Sequence, residues 1–162
     1  ACDEEGTIVS DTEGTEPAST EVQAAKAKYV GFVFDTATFT VEQDKILAWA
    51  ESVGESDPRF TDPSHPDFQA HPTFTASLVS RRMLPDDFPK IGGPRGIDGG
   101  KAVVIQQPIR PGDQLKASAT IADIYEKTGR SGTMTFIVQR MSFVNQNDEP
   151  VSMVDWKMIR NP

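Results

Sequence analysis

Apolar and polar residues alternate differently in the two halves of the chain, with helical spacing early and strand spacing late. Residues 20–30 favour a short helix capped by Thr20, and the aromatic and β-branched residues at 32–39 favour a first strand. A capping box at Thr40 predicts a second helix, which Gly54 ends. The apolar positions of this second helix are Ile46, Leu47, Trp49, Ala50 and Val53.

Prolines and glycines interrupt regular structure in the middle of the chain. Four prolines between positions 57 and 72 predict a stiff loop, and Pro72 suits the first position of a further helix because its missing N–H is not needed there. The apolar stripe of that helix would be Phe74, Leu78 and Met83. Residues 84–100 predict a second irregular stretch, with Phe88 and Ile91 as its apolar anchors.

After residue 100 the apolar period becomes two, which is typical of half-buried strands. Strands are predicted at 102–105, at 115–121, at 134–144 and around Trp156, with a hairpin connection at residues 129–132. The strand at 134–144 changes its apolar face part-way, which indicates either a bulge or two covered faces. A strand, then helices, then four strands predicts an α+β domain with helices on one face of a mostly antiparallel sheet.

Length and charge limit the classes of function. A chain of 162 residues buries roughly 68–70% of its unfolded surface, enough for one core. Six of the first sixteen residues are acidic and none is basic, so the formal charge of −8 leaves −2 for the remainder. We therefore expect a flexible acidic tail at 1–19 and one domain at 20–162. The balanced remainder argues against a nucleic-acid partner.

The cysteine count and the distribution of apolar residues indicate where in the cell the protein is expected. Cys2 is the single cysteine, so the sequence contains neither an internal disulfide framework nor a cysteine-based metal site. No stretch has the 18 or more apolar residues of a membrane span, and no secretory signal pattern is found. A cytoplasmic protein without a membrane partner is the expectation.

Five short segments carry a resemblance to a known family. They are AWAESVG at 48–54, DPRF at 57–60, PTF at 72–74, PIRPGD at 108–113 and YEKTGRSGTM at 125–134. In this order they resemble the MaoC-like dehydratase family, specifically its amino-terminal half, over about residues 25–160. The resemblance implies a hot-dog fold, in which an antiparallel five-stranded sheet wraps around a central helix, and a second hot-dog unit alongside it. It also implies an acyl thioester of coenzyme A or of an acyl carrier as substrate, with no other cofactor and no metal.

Catalytic members of that family use an Asp and a His in a D-x-N-P-x-H segment to add water to, or remove it from, the thioester. In this chain Glu55 stands at the Asp position, Asp57 at the Asn position and Phe60 at the His position. A phenylalanine cannot exchange a proton, so we expect Phe60 to pack in the core. We expect Glu55 to be solvated and Asp57 to start a turn by accepting backbone N–H bonds.

The remaining candidates are weaker. His71, just before Pro72, is a better candidate for a base than His65 in the proline loop, although both are more plausibly structural. The N–H groups of Thr73 and Phe74 are candidate donors to a thioester carbonyl at the predicted helix start. The full set of candidate substrate-binding residues, including cations for a coenzyme A phosphate, is Phe60, Thr73, Phe74, Arg81, Arg82, Lys90 and Arg95, with Lys101 nearby.

Three functions follow from these observations. The leading hypothesis is a non-catalytic, acyl-thioester-binding half of an (R)-specific enoyl-thioester hydratase or dehydratase, paired with a hot-dog partner that carries the Asp-His pair. The second is a self-sufficient homodimeric hydratase or thioesterase that uses Glu55, Asp57 or His71. The third is a module that binds an acyl thioester and catalyses nothing.

Overall fold

Five strands form one antiparallel sheet in the computed structural model, which describes residues 18–130 and 132–161. The strand order is β1-β3-β4-β5-β2, so β1 and β2 lie at the two edges. The strands are β1 (Val33–Thr40), β2 (Arg95–Ile105), β3 (Gln114–Gly129), β4 (Gly132–Val144) and β5 (Pro150–Asn161). The predicted α+β hot-dog class with a five-stranded antiparallel sheet is confirmed. Residues 1–17, which hold most of the predicted tail, lie outside the described residues.

One face of the sheet forms the core against the helices. On β4 the buried positions are 135, 137, 139, 141 and 143, while the positions between them are half-buried. Of the two alternatives for this strand, two covered faces is therefore the right one. The irregularity of the β3–β4 pairing falls between Ile121 and Asp123, on β3. Tyr125 and Phe136 stack on the outer face with ring centroids 4.9 Å apart.

The first helix, α1 (Thr20–Tyr29), packs on β3 and buries Val22, Ala25 and Tyr29. Its cap differs from the prediction by one residue, because Ser19 is the N-cap and its hydroxyl accepts the N–H of Val22. Ser19 also bonds to the Glu126 carboxylate through its N–H and its hydroxyl. This second set of bonds to β3 explains why Ser19 rather than Thr20 occupies the cap.

The second helix, α2 (Gln43–Ser52), exists as predicted, but Thr40 does not cap it. Thr40 is the last residue of β1, and its hydroxyl donates to the Gln114 side chain on β3. The N-cap is Glu42, which makes no side-chain cap bond. The helix buries Ile46 and Ala50, whereas Val53 is 44% exposed and does not belong to the apolar face.

The helix predicted to begin at Pro72 is wrong. Only a four-residue 3₁₀ helix, Phe74–Ser77, forms there, and Met83 from the predicted apolar stripe is 53% exposed. A short helix, α3 (Pro58–Thr61), forms instead inside the loop that was predicted to lack regular structure. Pro58 takes its first position and the Asp57 side chain caps it, which is the arrangement that proline and aspartate favour at a helix start.

The irregular stretch predicted at 84–100 is shorter than expected. Phe88 packs on Tyr29 with ring centroids 5.0 Å apart, and Ile91 is buried, so both predicted anchors are confirmed. The strand β2 already begins at Arg95, however, and contains a register irregularity between Asp98 and Lys101. Gly99 and Gly100 lie in this irregularity, where Gly100 has a φ of 91°.

Candidate functional site

Glu55 and His71, which the sequence offered as separate candidates, lie in contact. The Glu55 Oε2 atom is 3.3 Å from His71 Nε2, and the two side chains are 22% and 20% exposed. Glu55 follows the end of α2, and His71 closes the proline loop, so the fold of that loop brings the two together. Glu55 is therefore a half-buried partner of an imidazole and not the solvated residue predicted from the sequence.

The other Glu55 oxygen holds the backbone that follows it. Oε1 accepts the N–H of Ser56 at 2.7 Å and the N–H of Asp57 at 2.8 Å. These backbone donors, that of Asp57 first, keep the pKa of the Glu55 carboxyl below its usual range, although burial opposes them; His71 adds a smaller lowering effect. The carboxylate is thus fixed in place as an acceptor.

His71 is held from its other side by Thr73. The Thr73 N–H donates to His71 Nδ1 at 3.2 Å, and the Thr73 hydroxyl lies 2.8 Å from the same nitrogen. The Trp49 indole N–H, from α2, donates to the Thr73 hydroxyl oxygen at 3.1 Å. A continuous series of contacts therefore joins Trp49, Thr73, His71 and Glu55.

Phe60, which the resemblance places at the family's His position, packs in the core as predicted. It is 8% exposed, and its ring meets the His71 imidazole edge-on with centroids 5.4 Å apart. The imidazole of His71 consequently lies beside the position that the family pattern gives to its histidine. The sequence pattern alone could not show this, because His71 comes from a different turn of the loop.

Asp57 and His65 have structural roles. Asp57 accepts the N–H of Arg59 at 2.9 Å, which confirms the predicted turn start, and it also pairs with the Arg59 guanidinium. The Arg59 side chain, followed by its N–H, lowers the pKa of the Asp57 carboxyl. His65 accepts the N–H of Asp67 at Nδ1 and is half-buried.

The helix-start donors predicted for a thioester carbonyl are engaged within the fold. The Thr73 N–H reaches His71 Nδ1, and the Phe74 N–H donates to the His71 carbonyl oxygen at 2.8 Å. Phe74 itself is buried. These contacts follow from the tight turn that replaces the predicted helix, in which backbone N–H groups point back along the chain.

The predicted phosphate-binding cations do not form one cluster. Arg81 lines an open groove of about 760 Å³ beside β1 and β3, and Lys90 lines a different groove of about 450 Å³ beside α1. Arg82 pairs with Asp86, and Arg95 begins β2. Neither groove is lined by Glu55 or His71, so a phosphate role for these cations stays a prediction.

Two residues that the sequence did not single out organise these regions. Trp49 was assigned to the apolar face of α2, and its indole N–H bond to Thr73 has no sequence signal. Asp35 on β1 is buried and accepts the N–H groups of Arg81 and Arg82, at 2.8 Å and 3.2 Å. Burial raises the pKa of the Asp35 carboxyl, but these amide donors outweigh that effect and the pKa lies below its usual range.

A family model described as "FAS1-like, dehydratase domain region" matches residues 28–154, which is most of the chain. The chain belongs to this family. The match covers β1, α2, the Glu55–His71 contact and most of the sheet, so the candidate site lies inside the FAS1-like dehydratase region.

The chain is also similar to a Streptomyces protein and to solved structures of dehydratases. A UPF0336 protein from Streptomyces coelicolor is 31% identical over 103 residues, which cover 58% of this chain and 69% of that protein. The structure of a MaoC-like dehydratase from Rhodospirillum rubrum is similar, with a TM-score of 0.55, 26% identity, and coverage of 82% of this chain and 94% of that one.

The ChsH1-ChsH2 complex from Mycobacterium tuberculosis contains a chain of the same fold, with a TM-score of 0.63 and 22% identity. The alignment covers 87% of this chain and 89% of that one. At this identity the likeness shows the fold alone.

Within residues 18–130 and 132–161, no three His, Cys, Asp or Glu side chains are grouped so that they could hold a metal ion. No helix in those residues has the length and apolar character needed to cross a membrane.

Proposed function

We propose that this chain is an acyl-thioester-binding, non-catalytic subunit of an (R)-specific enoyl-thioester hydratase or (3R)-hydroxyacyl dehydratase. In this proposal it pairs with a hot-dog unit that carries the Asp-His pair, and a coenzyme A or acyl-carrier thioester lies between them. Membership of the FAS1-like dehydratase region supports the reaction class.

The observation that carries the proposal is the state of the side chains at the family's catalytic positions. A general acid or base must present a lone pair or a proton to the substrate. Phe60 offers neither, Glu55 Oε1 already accepts two backbone N–H groups, and His71 Nδ1 already accepts that of Thr73. The position that the resemblance gives to the catalytic histidine therefore holds no proton-exchanging group, and the remaining polar atoms, Glu55 Oε2 and His71 Nε2, are the basis of the second candidate below.

The free edge of the sheet supports a partner of the same fold. β2 pairs with β5 on one side, and within residues 18–130 and 132–161 no strand pairs with its other side. Its end carries Val103, Val104 and Ile105, of which Ile105 is 41% exposed. Unpaired strand edges with apolar side chains invite association. The similar ChsH1-ChsH2 structure is a complex of two named components, which agrees with a heteromeric assembly.

The decisive experiment compares the chain alone with the chain mixed with a candidate partner that contains a complete D-x-N-P-x-H segment. Hydration of a short trans-2-enoyl-coenzyme A is measured in both. We expect turnover in the mixture and none with either this chain alone or a mixture whose partner lacks its catalytic His. Full turnover by this chain alone would contradict the proposal.

A second candidate, the self-sufficient homodimeric hydratase or thioesterase, is favoured by one observation. The Glu55–His71 contact of 3.3 Å places a carboxylate and an imidazole together, both about one-fifth exposed, within a single chain. If the lone chain is active, Glu55→Gln and His71→Ala should each abolish most of that activity. Asp57→Asn tests the third candidate residue of this hypothesis, and we expect a smaller loss because Asp57 pairs with Arg59 instead of facing the imidazole.

The third candidate, a module that binds a thioester without belonging to an enzyme, is tested by the same material. It predicts binding of an acyl-coenzyme A by the chain, measured by calorimetry, together with no turnover in any mixture. The first proposal instead requires that the partner gains turnover when this chain is added.

A further inference from the structure

Two of the groups that contact the His71 side chain or its neighbour Thr73 are N–H groups, which can only donate a hydrogen bond. The Thr73 backbone N–H points at His71 Nδ1, so that nitrogen must offer a lone pair. The Trp49 indole N–H points at the Thr73 hydroxyl oxygen, which therefore accepts from Trp49. The hydroxyl keeps its own proton, and when His71 Nδ1, 2.8 Å away, offers its lone pair, the hydroxyl and the backbone N–H of Thr73 share that one acceptor.

A neutral imidazole with its lone pair on Nδ1 carries its proton on Nε2. We propose that Thr73, oriented by Trp49, is a positioning residue that holds His71 as the Nε2–H tautomer. Glu55 and His71 then present one acceptor, Oε2, and one donor, Nε2–H, side by side. That pair matches a hydroxyl group, which accepts one hydrogen bond and donates another.

The geometry of the contact leaves it accessible to such a group. The distance of 3.3 Å between Nε2 and Oε2 is longer than the usual 2.9–3.0 Å of a strong N–H···O bond. Both side chains are about one-fifth exposed, while the Phe60 ring covers one side of the imidazole. A water or an alcohol therefore approaches from the open side and meets the donor and the acceptor together.

The tautomer is measured directly by nitrogen-15 NMR of the full chain, above the pH at which histidine titrates. His65→Gln leaves His71 as the one imidazole, so its two nitrogen signals are assigned without ambiguity. We expect the proton on Nε2. A dominant Nδ1–H tautomer would overturn the proposal.

Thr73→Val tests the positioning role, because it removes the hydroxyl and keeps the backbone N–H. We expect the Trp49 indole N–H signal to move and its exchange with solvent to become about tenfold faster, since it loses its acceptor. We also expect a measurable Nδ1–H population to appear at His71. Thr38→Val, at an exposed threonine on β1, is the matched control and should change neither signal. Unchanged indole and imidazole signals in Thr73→Val would also overturn the proposal.

The preference for a hydroxyl is tested by ligand binding, and this part rests on the proposed function. Affinities for (3R)-hydroxybutyryl-coenzyme A and for butyryl-coenzyme A are compared by calorimetry. We expect about a tenfold preference for the hydroxy compound, consistent with hydrogen bonds to a charged group, and its loss in His71→Ala. Equal affinities would contradict the hydroxyl site and leave thioester binding intact. Binding of neither compound would contradict the proposed function, while the tautomer measurement would stand.

Discussion

Residues 54–73 and the loop at residues 79–91 contain most of the side chains that the sequence singles out, and the structure holds them in different ways. In the first region, side chains bond mainly to backbone groups two positions further on. Glu55 accepts from Asp57, Asp57 accepts from Arg59, and His71 accepts from Thr73.

In the loop at residues 79–91 the bonds come from distant parts of the chain. Asp35 accepts from Arg81, 46 positions away, and the Gln139 side chain donates to the Ser80 hydroxyl, 59 positions away. The Tyr29 hydroxyl donates to the carbonyl oxygen of Asp87. Local bonds shape the loop that carries the candidate acid and base, whereas long-range bonds hold the loop that carries Arg81 and Arg82.

The largest expected effect on stability comes from Phe60, which is buried in the core and belongs to the region at residues 54–73. Phe60→Ala should lower the free energy of unfolding by about 3 kcal/mol, because it removes a buried ring and leaves a cavity. The measurement is urea denaturation. Phe32→Ala is the control, since Phe32 is 54% exposed and should cost less than about 0.5 kcal/mol. Equal effects of the two changes would contradict the packing of Phe60.

The next effect concerns the anchor of the second region. Asp35→Ala leaves the N–H groups of Arg81 and Arg82 without their acceptor, so the loop should open more often. We expect the hydrogen exchange of these two amides to become about tenfold faster while that of Asp57 is unchanged. If exchange became faster equally in both regions, the two would not be held independently.

The smallest effect is the pH dependence that Glu55 contributes. Its pKa lies below the usual range in the folded chain, so its stabilising contribution is complete above the unfolded-state pKa. That contribution is lost as pH falls through the lower folded-state pKa. The melting temperature of the wild type should therefore fall more than that of Glu55→Gln on acidification. Glu51→Gln, an exposed change in α2, should follow the wild-type curve.

The same contrast explains what the sequence could predict. Asp57 and Pro58 give a turn start because the interacting groups are neighbours, and the order of elements gives an antiparallel sheet through known packing rules. Thr40 looked like a helix cap by the same local rule, yet its hydroxyl bonds to Gln114 on another strand. A local pattern therefore predicts a contact only when no distant partner competes for the group.

The candidate site shows this limit most clearly. Phe60 stands where the resemblance expects a histidine, and Glu55 and His71 are each visible in the sequence as titratable residues. Their contact depends on how the proline loop closes, which neither propensity nor periodicity encodes. The Pro72 helix was wrong for a related reason, because the turn bonds the N–H groups of Thr73 and Phe74 back to His71.

The edge strand β2 has a practical consequence for work on the isolated chain. Its end presents a short β-branched run with which no other described residues pair on the outer side, and such edges template intermolecular strand addition and, in the extreme, fibrils. The Lys101 charge and the backbone irregularity beside Gly100 lie at one end of this run, where they hinder the addition of a strand. Co-production with a partner that covers residues 102–105 should therefore increase the yield of protein that does not aggregate.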